Sequence, residues 1–274
     1  MTNTLTTDYS TFRALHQLGN PLLLSNVWDV ATARLAAKAG AQAVATTSAG
    51  IAWSLGLPDG NHLDQETALE AIGRITRAVE LPVTADIENG YASCEAEVEA
   101  TVRAVAELGV AGVNIEDGTL APQEFEERIS AARRVSGKRG EGLFINARTD
   151  VFLYAGASPE ELLAETVHRA QRYLDAGADG IFVPGLTDPL MIKKLVQLIP
   201  APVNIMVGPG SPSVTELATL KVARISLGSA PAQAAYATAY RATQELLSTG
   251  TYRSVEQLVD YGELNELILS PTAR

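Results

Sequence analysis

Strand-like and helix-like segments alternate from one end of this chain to the other, which predicts an α/β fold, a single (β/α)8 barrel. The strand segments are apolar on both faces, as parallel strands covered by helices must be. They come as eight β-then-α units, and eight parallel strands close a barrel of about 250 residues. The length of 274 residues fits that size, and an apolar content of 46% supplies a large core. An open doubly wound sheet is the competing architecture. It calls for a phosphate-binding glycine turn, and neither GxGxxG nor GxxxxGK[ST] follows any strand. No linker-like stretch divides residues 1–274, so they are read as one domain, including a lead helix and a helical C-terminal extension.

A lead helix is expected near residues 9–18. The first strand is Leu22-Leu23-Leu24-Ser25-Asn26, and Asp29 caps a helix over 30–39 that stops at Gly40. Strand two is Ala43-Val44-Ala45-Thr46-Thr47. A long loop with Gly50, Gly56, Pro58 and Gly60 follows, then a helix over 65–80. Strand three begins at Val83, a helix over 95–108 ends at Gly109, and strand four begins at Gly112. A helix over 122–135 precedes strand five at 143–148, and a helix over 159–176 ends at Gly177. Strand six spans 180–183 and strand seven 203–207. A short helix over 214–220 leads to strand eight at 223–227. Helical stretches over 233–247 and 255–269 exceed what a barrel needs.

Composition excludes several functions. The net charge of −11 leaves nothing to offset phosphate repulsion, so no nucleic-acid partner is expected. No apolar run approaches the ~20 residues of a membrane span, and the polar N-terminus lacks a signal pattern. A single cysteine, Cys94, rules out an internal disulfide and fits a reducing cytoplasm. Cys94 reads as a small residue at a helix start. No histidine is placed as a base for a Ser-His-Asp hydrolase: His16 and His168 lie in helical patterns and His62 in a loop.

The chemistry is concentrated at strand ends. Asp86-Ile87-Glu88 closes strand three, and alternation of strand side chains places Asp86 and Glu88 on one face. Strand four ends in Glu116-Asp117. Adjacent carboxylates are costly unless a cation or proton separates them. If the two strands are neighbours, Asp86, Glu88 and Glu116 converge on an oxygen-rich site suited to Mg²⁺, with Mn²⁺ obeying the same ligand preference. The plain alternative is that these acids cap helices or pair with Lys and Arg.

These strand ends resemble the isocitrate lyase/phosphoenolpyruvate mutase superfamily over roughly residues 22–232. Asp86, Glu88, Gly90 and Tyr91 match its D-x-[DE]-x-G-Y signature. Glu116 and Asp117 match an apolar-E-D strand end, and Ala147-Arg148-Thr149-Asp150 an A-R-T-D-like strand. Leu55-Gly56-Leu57-Pro58-Asp59 matches an L-G-x-P-D loop ending. The resemblance implies a Mg²⁺-binding barrel, often with its last helix swapped between subunits, hence a homodimer or homotetramer. It implies C–C or C–P chemistry next to a carbonyl through an enolate-type anion. One departure is a missing K-x-C-G-H loop, whose cysteine moves a proton in family lyases. Here Thr119-Leu120-Ala121 runs from the Glu116-Asp117 strand end straight into a helix. Another is Gly185, where lyases tend to have glutamate.

Residue by residue, Asp86 is expected to ligate the metal directly, with Glu88 and Glu116 reaching it through water. Arg148 is expected to hold a carboxylate or a developing enolate oxygen with its planar fork; the alternative is an ion pair to Glu116 or Asp117. Thr47, Ser48 and Ala49 read either as binders of the substrate carboxylate or as an ordinary glycine-rich turn. Asp59 reads as a loop carboxylate near the metal or as part of a Pro-Asp-Gly turn. Asn204 reads as a donor to a second carboxylate or as a buried polar group satisfied by backbone. Trp28 reads as a pocket wall or as core. The expected activity is Mg²⁺-dependent C–C cleavage or decarboxylation of a small 2-oxo or 2-hydroxy di- or tricarboxylate, with Arg148, Asp59 and Glu116 in catalytic roles. C–P mutase or hydrolase chemistry, and a 2-oxo acid-binding barrel with little lyase activity, are the alternatives.

Overall fold

A computed structural model describes residues 9–154 and 156–270. The sheet is a closed barrel in the order β1 to β8, every neighbouring pair parallel. Its strands are β1 (Leu22–Val27), β2 (Val44–Thr46), β3 (Val83–Asp86), β4 (Gly112–Glu116), β5 (Phe144–Arg148), β6 (Gly180–Val183), β7 (Val203–Met206) and β8 (Arg224–Ser226). The lead helix α1 (Tyr9–Ala14) is shorter than its pattern suggested. Around the barrel run α2 (Val30–Lys38), α3 (Ser48–Ser54), α4 (Gln65–Ala78), α5 (Glu95–Glu107), α6 (Pro122–Ser136), α7 (Pro159–Asp175), α8 (Pro189–Leu198) and α9 (Val214–Thr219). Then follow α10 (Ala230–Thr249) and α11 (Tyr261–Leu269).

Three departures from the sequence expectation have local causes. The glycine-rich stretch after β2 opens as a helix, α3, with Thr47 at its N-cap accepting from Gly50 N–H, and the expected loop begins only at Leu55, carrying Gly56, Pro58 and Gly60. Gly50 is required there: a Cβ would lie 2.8 Å from a Thr47 methyl and 2.9 Å from Trp28 Cβ. Helix α8, between β6 and β7, was not expected. Asp188 caps it through Met191 N–H at 2.8 Å, and Pro189 occupies its first turn, where a missing N–H costs nothing. The stretch 255–269 divides into a 3-10 turn, Arg253–Val255, and α11. Cys94 stands exposed at the α5 N-cap, as a small residue at a helix start.

Strand alternation builds two cores. Outward residues such as Val113, Ile115, Ile145, Ile181 and Ile205 are buried against the helix layer. Inward residues fill the barrel. At its base Phe12 of α1 packs edge-on to Phe144 while His16 stacks on the same ring at 4.2 Å. Burial lowers the His16 pKa to about 3, so this plug is neutral. One step higher the interior turns polar. Asn146 donates to Asn114 Oδ1 at 2.9 Å and to Asn204 Oδ1 at 3.4 Å, and Asn204 donates to Ser226 Oγ at 3.0 Å. Arg224 reaches across the lumen from β8 to Asn114 on β4, at 3.0 Å. This belt forms the floor beneath the C-terminal rim, the face where barrel enzymes carry their chemistry.

Candidate active site at the C-terminal rim of the barrel

The register that pairs Asp86 with Asn114 and Glu116 with Arg148 brings the ends of β3, β4 and β5 together. Asp86, half-buried, accepts from the Ser48 backbone N–H at 3.1 Å and the Ser48 hydroxyl at 2.9 Å. The same hydroxyl lies 3.3 Å from Asp59 Oδ1. Ser48 thus opens α3 with its N–H and O–H both turned to the carboxylates. Thr47 caps the helix and Ala49 is buried behind it.

Glu88 belongs to this group by a different route from the one expected. Strand β3 ends at Asp86, and Glu88 has a left-handed backbone, φ 49°, so strand alternation does not place it. A non-glycine residue held there is uncommon and marks a constrained turn. The turn buries the side chain, where Oε2 accepts from Asn61 N–H and Oε1 has no partner among the described residues. Asp86 and Asp59 both act electrostatically on it.

Arg148 is the cation set among these acids. Its Nε and Nη2 donate to Asp150 at 2.6 and 3.0 Å, and Nη1 lies 2.6 Å from Glu116 Oε2. Burial opposes its charge, but Glu116 and Asp150 hold its pKa above the ordinary arginine value. Of the two ion pairs weighed from sequence, that with Glu116 forms. Asp117 is instead fully buried and bound by Arg169 Nη1 at 2.9 Å and Tyr173 OH at 2.8 Å. From sequence, Asp150 enters only as the end of the A-R-T-D match, with no role assigned, and Arg169 and Tyr173 do not enter at all. Asp150 carried a signal, lying two residues from Arg148 at the same strand end; the other two look like ordinary helix residues.

One arginine does not balance this much negative charge. Burial raises Glu88 to about pKa 7 and Glu116 to about 8, and raises Asp86 as well, with Arg148 opposing each shift. Arg224, below, is itself lowered by burial to about 9; Asp86 opposes that shift. Buried acids whose charged form is disfavoured, and an acceptor oxygen without a partner, fit a divalent cation. Asp86, Glu88 and Glu116 are the residues that would hold it. Among the described residues no three of His, Cys, Asp or Glu form a ready-made ligand cluster. That spacing suits Mg²⁺, which keeps several of its waters and uses few protein ligands.

The remaining expected residues fall less directly. Asp59 is exposed; its hydrogen bond to the group runs through the Ser48 hydroxyl, and its charge acts on Asp86 and Glu88. Asn204 is 1% exposed and held on both sides by Asn146 and Ser226, so it serves the floor; a direct contact to a ligand would require that belt to open. Trp28 is half-buried, packed on the outer core beside Gly50. His62 is exposed.

A family profile described as phosphoenolpyruvate phosphomutase matches residues 12–247. An uncharacterized Mycobacterium tuberculosis protein is 38% identical over 91% of this chain and 96% of its own length. A Salmonella typhimurium 2-methylisocitrate lyase is 32% identical over 70% of this chain and 67% of its own, and a Pseudomonas putida oxaloacetate decarboxylase 32% over 86% and 82%. Among solved structures, one from Burkholderia cenocepacia J2315, provisionally described as a phosphonomutase, has a TM-score of 0.82 at 42% identity, covering 86% of this chain and 98% of that one. A phosphonopyruvate hydrolase with oxalate and Mg²⁺ has a TM-score of 0.80 at 25% identity, covering 96% and 95%.

The raised acids set a pH dependence. A carboxyl with a higher pKa folded than unfolded binds more protons in the native state, so stability falls as pH rises between the two values. For Glu88 that window runs from the ordinary 4.5 to about 7, and for Glu116 from 4.5 to about 8. Metal-free protein should therefore lose melting temperature from about pH 5 to pH 8. Glu116→Gln and Glu88→Gln should flatten that slope. A wild-type melting temperature level across the window would contradict it.

Proposed function

The chain belongs to the isocitrate lyase/phosphoenolpyruvate mutase superfamily, whose members cleave C–C or C–P bonds, and from that membership we propose that it is a Mg²⁺-dependent carbon–carbon lyase acting on a small 2-oxo dicarboxylate, by decarboxylation through an enolate. The single observation that carries the proposal is the rim cluster itself: Asp86, Glu88 and Glu116 raised by burial around an arginine held in a fixed plane by two carboxylates. Such a site binds a dication and, beside it, a planar dianion.

Bound Mg²⁺ would supply a Lewis acid for the oxygen on which enolate charge develops. The chain's own groups do the rest. Arg148 offers N–H donors in a plane preset by Asp150 and Glu116. Donors fixed before the reaction stabilise developing charge without reorganisation. The first turn of α3 keeps Ser48 against Asp86 and holds that carboxylate in one orientation. The closed barrel below, with its belt of buried Asn114, Asn146 and Asn204 side chains, shields the underside of the site from water.

Decarboxylation is favoured over cleavage of a 2-hydroxy tricarboxylate by the short connection after Asp117. Cleaving a hydroxy acid requires a base to take the hydroxyl proton, and no cysteine, histidine or lysine stands between Gly118 and Ala121. Loss of CO₂ needs only an electron sink and a proton that water can deliver. The decarboxylase relative is also matched over more of its length than the methylisocitrate lyase, 82% against 67%.

We further propose that the chain works as a homo-oligomer. Helix α10 has 20 residues, yet only Ala232 is buried, and Tyr240, Leu246 and Leu247 are exposed at 68%, 58% and 81%. Apolar faces of that kind mark contact surfaces. Light scattering should give a dimer or tetramer; a monomer at micromolar concentration would contradict it.

The activity is tested by pyruvate formation from oxaloacetate, with methylisocitrate and phosphonopyruvate run in parallel. Turnover of oxaloacetate should vanish in EDTA and return with Mg²⁺ or Mn²⁺. Asp86→Asn should weaken Mg²⁺ more than Glu88→Gln does. Arg148→Lys should cost roughly 10–100-fold, the worth of one or more charge-assisted bonds of ~1.5–3 kcal/mol. Phosphate release from phosphonopyruvate without oxaloacetate turnover would move the assignment to C–P chemistry. Ligand binding with no turnover of any substrate would leave a binding protein.

A further inference from the structure

Arg148 can serve the site only if its plane is held, and the residues that hold it lead out of the rim into the helix layer. Asp150 clamps the guanidinium through Nε and Nη2. Asp150 is fixed in turn by its own backbone N–H, which donates to Asp117 Oδ1 at 2.9 Å. Asp117 also reaches β5 directly, its N–H donating to the Arg148 carbonyl at 3.1 Å. The Asp117 carboxylate is fully buried, so no solvent can substitute for a missing partner. Its second oxygen, Oδ2, depends on two donors from α7: Arg169 Nη1 at 2.9 Å and Tyr173 OH at 2.8 Å. Arg169 is steadied by Glu165, which accepts from its Nε at 2.6 Å, and the Tyr173 ring packs edge-on to Phe125 of α6.

We propose that Arg169 and Tyr173 are positioning residues for Arg148, acting through Asp117 and Asp150, so that helix α7 sets the orientation of the substrate-facing guanidinium. The proposal rests on the reading of Arg148 as the contact for a 2-oxo acid. The route is continuous and polar at every link: donors on α7, the Asp117 carboxylate, the Asp150 N–H and carboxylate, the Arg148 fork, and finally Glu116. Arg169 and Tyr173 make no hydrogen bond to Asp86, Glu88 or Glu116; they bond Asp117 and, for Arg169, Glu165. Removing either donor leaves a buried carboxylate short of a bond. Asp117 then shifts toward the remaining donor and draws the Asp150 turn with it. Partners one layer behind a working group typically cost 10–100-fold in affinity or activity when they are lost.

The test uses full-length protein with three variants, Tyr173→Phe, Arg169→Met and Arg169→Lys. Arg172→Gln is the control, because it breaks the α7–α6 pair with Glu126 without touching Asp117. Oxalate, a planar dianion shaped like the enolate of pyruvate, is titrated with Mg²⁺ present. The resonance of the Arg148 Nε–H, assigned by its loss in Arg148→Lys, is followed by NMR. Tyr173→Phe and Arg169→Met should weaken oxalate by roughly 10-fold or more, with Arg169→Lys between them and wild type. The control should bind oxalate as wild type does, even where its melting temperature falls as far. The Arg148 Nε–H signal should broaden in Tyr173→Phe and Arg169→Met and stay sharp in the control. Lowered melting temperatures with unchanged oxalate affinity and an unchanged Nε–H signal would make the two residues scaffold and overturn the proposal. If wild type itself fails to bind oxalate, the functional reading fails, and the Nε–H signal alone decides the positioning: broadened in the variants it stands, unchanged it falls.

Discussion

Carboxylates gathered at the end of a barrel and withdrawn from water repel one another, and the rest of this structure is arranged around that repulsion. Asp86, Glu88 and Glu116 lie within mutual electrostatic reach with one arginine among them. Desolvation is the largest influence on each acid, and without a cation the balance is met with protons. The cluster is therefore unfavourable for the empty protein and favourable for whatever positive charge enters it. That separation of stability from use is characteristic of working sites, where groups are held in states the free chain would not choose.

The scaffold supplies what such a cluster needs. Beneath it the Asn114–Asn146–Asn204 belt and Arg224 give the barrel a polar floor, and the Phe12, His16 and Phe144 plug closes the opposite end. Around it, the turn after β3 presses Glu88 inward through a left-handed backbone. The first turn of α3 presents Ser48 to Asp86, and the α7–Asp117 chain fixes the strand end that carries Arg148. Short-range interactions of this kind locate a charged side chain to a fraction of an ångström, which oriented binding of a small dianion demands.

The fold was legible in the sequence because its signals are local and repeated: apolar strands, caps such as Asp29, and glycines at helix ends. Eight strands were placed in order, with edges displaced by a residue or so. What escaped had weak local signals. Helix α3 is rich in small residues and glycine; its one local signal is the Thr47 cap, and the glycine at 50 answers to the close approach of Trp28 and Ala232, which the segment alone does not reveal. In the site, Asp86, Glu116 and Arg148 could be read from strand ends, because register brings neighbouring ends together. Glu88 was reached by the wrong rule, since the strand stops at Asp86. The partners of Asp117 could not be read at all. Arg169 and Tyr173 lie 52 and 56 residues away on a helix, where nothing in their spacing announces an inward polar contact. Long-range polar pairing depends on the closed barrel, not on the segment that carries the residue.

The central claim is that the buried acid cluster is the place where a divalent cation enters. The most direct measurement is the proton count on Mg²⁺ binding, obtained by calorimetry at pH 7 to 7.5 in buffers of different ionisation enthalpy. With Glu88 raised to about 7 and Glu116 to about 8, the pair holds on the order of one proton there, so Mg²⁺ should bind with release of roughly 1 to 1.5 protons. That release should shrink in Glu116→Gln and Glu88→Gln. Mg²⁺ binding with no proton release, or with the same release in both variants, would place the cation elsewhere and contradict the account.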